Sequence, residues 1–181
     1  MQFTKLALVA VTLSLASTPA MAATNDQWDN AGTAVTIGLM ATGYGLSIAK
    51  EDDWQGAKQL SFSLVGPGAT SELLKQLVHE ERPNGENDNS FPSGHTTIAF
   101  ASAGFMHKRY GWQIGLPATL AAAFVGFTRV QSNNRYLQDV VAGAVIGEGW
   151  AWVVTRPLND NVQVIPWGDT KGGGVSVAAK F

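Results

Sequence analysis

The chain has 181 residues, a formal net charge of −2, a mean hydropathy of +0.03 and no cysteine. That length fits one domain. The absence of cysteine excludes disulfides, thiolate catalysis and cysteine metal sites, and the charge lacks the basic footprint of a nucleic-acid binder.

The first 22 residues read as a secretory signal. Lys5 is followed by an 11-residue apolar run, Leu6 to Ala16, then by Thr18-Pro19 and the small-residue site Ala20-Met21-Ala22. Cleavage is expected after Ala22. An N-terminal membrane anchor is the competing reading, but the run is much shorter than the roughly 20 residues of a span.

Residues 23–157 read as an all-α bundle of five to six helices. Ala31 to Ala49 is free of charge, and Lys50 to Asp53 forms a polar turn. A helical pattern resumes at Trp54 and should break at Gly66-Pro67-Gly68. A capped helix follows from Ser71 and should stop before Arg82-Pro83, because the residue before proline avoids the helical region. Pro83 to Pro92 is a polar loop. Helices are then expected from Ser93 to His107, from Trp112 to Thr128 and from Arg135 to Val154, with a break over the polar stretch Gln131 to Asn134. Residues 158–181 form a separate tail. Its period-two alternation of Val175, Val177, Ala179 and Phe181 suggests a short strand pair or an extended segment. The terminal Phe also resembles the last strand of an outer-membrane barrel, although one strand cannot make a barrel.

Three charges stand out in an apolar setting. From Tyr110 to Gly147 only Arg129, Arg135 and Asp139 are charged. Buried ions cost several kcal/mol each unless paired, so the three should meet one another or a shared cavity. Arg135 and Asp139, four apart on one helix face, could form a structural ion pair. Upstream, Lys75 and Arg82 are seven apart, and on a continuous helix they would point the same way. They suit either a bound anion or a solvated face neutralised by Glu80 and Glu81. Between them and the apolar stretch lies Pro92-Ser93-Gly94-His95. Ser93 at a helix start presents free N–H groups and a hydroxyl, an anion site. Gly94 admits a ligand close to the backbone, and His95 titrates near neutrality.

Together these elements resemble the superfamily of type 2 phosphatidic acid phosphatases, class A bacterial acid phosphatases and vanadium haloperoxidases. Lys75 to Pro83 matches K-x6-R-P, Pro92 to His95 matches P-S-G-H, and Thr128 to Asp139 approximates S-R-x5-H-x3-D. The resemblance implies that Lys75, Arg82 and Arg129 grip phosphoryl oxygens, with hydrogen bonds from Ser93 and the Gly94 N–H. It implies His95 as general acid and Asp139 as the carboxylate that orients the nucleophile. No metal or cofactor is expected, and the implied partner is a phosphorylated small molecule or lipid outside the cytoplasm, in the periplasm or at the envelope membrane.

The departure is Arg135, which stands where the family has its nucleophilic histidine. A guanidinium offers no lone pair to attack phosphorus. The other histidines, His79 and His107, fall at surface positions out of register. Three readings stay open: a silent phosphate or lipid-head-group binder, slow hydrolysis by direct water attack, or an arginine variant of an active lineage. A vanadium peroxidase is disfavoured, because its vanadate ligand is the same missing histidine.

Overall fold

The computed structural model describes residues 23–158 and the backbone of two strands, Val162–Asp169 and Gly172–Ala179. The signal expected over 1–22 lies outside the described residues, as does Phe181. Five helices carry the fold: α1 (Asn25–Lys50), α2 (Gln55–Leu77), α3 (Gly94–Tyr110), α4 (Trp112–Gln131) and α5 (Leu137–Val154). The all-α reading holds. The two strands, β1 (Val162–Asp169) and β2 (Gly172–Ala179), pair antiparallel as a hairpin.

Packing is centred on α3. It touches all four other helices, and these form a ring in the order α1, α2, α5, α4. The composition of α3 explains its place: Ala99, Ala101, Ala103, Phe105 and Met106 are buried on several faces. Small residues on α5 allow a close approach to it. A side chain starting at Gly147 would lie 2.2 Å from the Thr97 carbonyl oxygen, so only glycine fits there. The chain alternates direction, so the start of α1, the α2–α3 connection and the α4–α5 turn share one end of the bundle.

Helix α2 departs from expectation. It runs unbroken through Gly66-Pro67-Gly68, with Pro67 buried inside it. An interior proline costs about 3 kcal/mol locally, and tertiary packing outweighs that here. The Trp150 ring of α5 sits where a Gly66 side chain would begin, and its indole N–H donates to Thr70 Oγ1 at 3.1 Å.

The end of the bundle opposite the α2–α3 connection is pinned by a buried ion pair. Arg109 donates Nη2 to Glu51 Oε2 at 2.5 Å and Nε to Oε1 at 2.8 Å. Tyr110 Oη and the Gly56 N–H donate to the same carboxylate. Arg109 Nη1 also reaches the Arg156 carbonyl, which ties in the end of α5. Among the described residues only α1 is long and apolar enough to cross a membrane by length and composition.

Candidate phosphate site

The polar end of the bundle carries two adjoining cavities of ≈630 and ≈450 Å³ that share Arg82, His95 and Arg135. The larger adds Asp29, Asn30, Asn84, Arg129 and Asn134. The smaller adds Lys75, Gly94 and Thr36. Volumes of this order suit a ligand head group.

Local structure explains how each side chain arrives. Lys75 sits in the last turn of α2, but that helix ends at Leu77. Arg82 therefore does not follow Lys75 along a helix face, as the seven-residue spacing suggested. It is placed by a tight loop in which its N–H donates to the Asn87 carbonyl and its carbonyl accepts from Gly85. Both cations still face the smaller cavity. Lys75 Nζ pairs with Glu72 at 2.6 Å and Arg82 Nη1 with Glu86 at 3.2 Å, and both carboxylates are exposed. The Phe91–Pro92 peptide is cis. Ser93 caps α3, but its hydroxyl is fully buried and shares a 2.8 Å hydrogen bond with Thr96. Gly94 lies beside the cavity, with Lys75 Nζ 3.6 Å from where a side chain would start.

His95 projects from the first turn of α3 into both cavities. Its Nε2 lies 3.3 Å from the Thr33 hydroxyl. Burial lowers its pKa below the ordinary imidazole value. Arg129, Arg135 and Lys75 lower it further, and Asp29 opposes them.

Arg135 and Asp139 do not pair directly. Helix α5 begins at Leu137, so Arg135 belongs to the turn before it and the expected one-turn spacing on a helix does not exist. Arg135 Nη1 instead donates to the Ser90 carbonyl at 2.7 Å and to the Asn89 carbonyl. Asp139, fully buried, caps α5 by accepting the Tyr136 N–H at 2.9 Å, and accepts the Ser90 hydroxyl at 2.6 Å. Its other oxygen has no partner. Burial, with Arg82 adding, brings the Arg135 guanidinium down to about 10, so it stays cationic at neutral pH. The turn itself needs Asn133 in the left-handed region (φ 54°), a conformation asparagine tolerates.

Arg129 is held from α1. Its Nη1 donates to Asp29 Oδ1 at 2.7 Å and its Nη2 to the Asp29 carbonyl at 2.5 Å. Asp29, Thr33, Ser90 and Asn134 were not singled out from sequence. They lie in ordinary polar stretches, and no spacing ties them to the motifs. His79 is exposed, and His107 packs on Trp152 at the opposite end; neither lines the two cavities.

This arrangement is a cationic, half-open cavity whose residues come from all three motifs. The family model of the PAP2 superfamily matches residues 56–163, more than half of the chain. The chain belongs to the PAP2 superfamily. It is 40% identical over 70 residues to a lipid A 1-phosphatase of Porphyromonas gingivalis, covering 36% of this chain and 16% of that one. It is 35% identical over 75 residues to a lipid A 4'-phosphatase of Helicobacter pylori, covering 41% and 38%. The matches therefore span well under half of these curated relatives. The crystal structure of the LpxE protein of Aquifex aeolicus superposes with a TM-score of 0.58 at 22% identity, over 72% of this chain and 82% of that one, and shares the fold.

Proposed function

We propose that this PAP2 protein binds the phosphate of a lipid phosphomonoester at the outer face of a membrane, and that it does not hydrolyse it through a phosphohistidine. The observation that carries the second half is Arg135. By the motif resemblance it stands at the nucleophile position; it stays protonated and spends one nitrogen on loop carbonyls. A protonated guanidinium cannot donate an electron pair to phosphorus. The first half is supported by Lys75, Arg82, Arg129 and Arg135 around His95 and by the phosphatase relatives. Fork-shaped guanidinium groups suit phosphoryl oxygens.

A lipid substrate is supported by the outer surface. Trp112, Leu116, Leu120, Phe124 and Phe127 form an exposed stripe along α4, continued on α5 by Val141, Val145 and Val153 and on α2 by Phe62, Val65 and Leu73. Such contiguous apolar faces are rare on monomeric soluble domains. Helix α1, with 26 residues, is long and apolar enough to cross a hydrocarbon core of about 30 Å. The apolar stripes face lipid in this reading, and the site lies beyond them at the polar end. Cleavage of a signal after Ala22 would leave the start of α1, and with it the site, outside the cytoplasm. The domain layout is then signal 1–22, helical domain 23–157 and tail 158–181.

Calorimetric titration of the detergent-solubilised protein with a short-chain lipid phosphomonoester tests the binding half. It should bind more tightly than the matching lipid without phosphate, and Arg82→Ala should weaken it several-fold. Equal affinity for both lipids would contradict the proposal.

A further inference from the structure

The family-model match begins at residue 56, so α1 lies wholly outside it. Yet Asn25, Asp26, Asp29 and Asn30 of α1 line the larger cavity. One contact dominates. The Asp29 carboxylate takes Arg129 Nη1, and the Asn134 amide donates to the same oxygen. The Arg129 side chain is only 3% exposed, whereas Asp29 is 39% exposed and reaches the cavity.

Four cations surround the site, and three of them hold a carboxylate: Lys75, Arg82 and Arg129. Glu72 and Glu86 are exposed, at 67% and 61%, and such pairs contribute little. Asp29 is different, because its partner is buried and cannot exchange a carboxylate for water without cost.

We propose that Asp29 is a built-in anion that pairs with Arg129 and competes with an incoming phosphoryl group, so that α1 sets the anion affinity of the site. This rests on the phosphate-site reading above. Arg129 has a second hold on α1 besides the Asp29 carboxylate. The Asp29 backbone carbonyl holds Nη2 at 2.5 Å. One turn on, α1 packs so closely that a Gly32 side chain would begin 2.4 Å from Nη2 and 2.0 Å from Thr128 Oγ1. With asparagine at position 29 the amide oxygen can still accept from Nη1, so Arg129 keeps its place while the charge that competes with the ligand is removed. A carboxylate within reach of the bound anion would also repel it, an effect of kcal/mol size at short range in a partly buried site.

The test is calorimetric titration of inorganic sulfate into the full chain, at fixed pH and ionic strength, for the unaltered protein and for Asp29→Asn. The variant should bind about tenfold more tightly, the order expected for one unit charge at such a distance. Should Asp29→Asn fail to fold, Asp29→Ser also removes the charge and keeps the backbone carbonyl. Equal or weaker binding by a folded variant overturns the inference, since Asp29 would then be a positioning partner of Arg129. Sulfate binding to neither protein overturns the phosphate-site reading, and this inference with it.

Discussion

Arg135 and Asp139 communicate through Ser90. The Ser90 carbonyl accepts Arg135 Nη1 at 2.7 Å, and its hydroxyl donates to Asp139 Oδ2 at 2.6 Å. Ser90 is fully buried, and the second Asp139 oxygen has no partner. Ser90→Ala would leave a buried carboxylate with only the Tyr136 N–H. The variant should lose about 2–3 kcal/mol, the cost of removing a hydrogen bond to a buried charge. Chemical denaturation measures this. A loss under about 0.5 kcal/mol would contradict the arrangement.

His95 supplies a pH dependence. Burial and the surrounding cations lower its pKa below the usual imidazole range. A bound dianion offsets those cations and favours the protonated form. Binding therefore takes up a proton, and affinity rises as pH falls below about 6.5 toward the lowered value. Sulfate keeps its charge over this range, so the trend reports the protein. Titration between pH 8 and pH 5 should show tighter sulfate binding at the acid end, and His95→Gln should flatten the profile. A flat profile in the unaltered protein would contradict the placement of His95.

The opposite end of the bundle makes a stability prediction separate from the site. Glu51→Gln leaves Arg109, 6% exposed, without its carboxylate. Breaking a buried pair from one side costs about 3–5 kcal/mol. The Arg109 hydrogen bonds hold the Glu51 carboxyl below the ordinary carboxylate range. Its contribution is therefore present above about pH 4.5 and is lost as pH falls through the lowered value. Sulfate affinity at neutral pH should not change. A parallel loss of binding would mean that the two ends are coupled.

Gly147→Ala tests the packing that holds α5, and with it Asp139, against α3. The new methyl would meet the Thr97 backbone oxygen at 2.2 Å. Backbone cannot swing away as a side chain can, so overpacking of about 1–3 kcal/mol is expected. Thermal unfolding in detergent should fall by several degrees.

The motifs singled out much of the candidate site's lining, although Ser93 and Asp139 line neither cavity. Lys75, Arg82, Gly94, His95, Arg129 and Arg135 all reach the two cavities. Sequence patterns erred where local rules were overruled by tertiary contacts. Pro67 does not break α2, because Trp150 packs against its Gly66 face. Arg135 does not pair with Asp139, because the helix starts two residues later than the polar break suggested and Asp139 is spent on capping it. The Asp29–Arg129 pair joins residues 100 positions apart. Only folding brings them together, and no period or motif announces it.

The measurement that tests the central claim most directly compares this protein with Arg135→His in a phosphatase assay on a lipid phosphomonoester, with trapping of labelled phosphate on the protein. The unaltered chain should bind the ligand and form no phosphoprotein, whereas Arg135→His should form one and turn over. Phosphohistidine formation, or turnover equal to that of Arg135→His, in the unaltered chain would contradict the account.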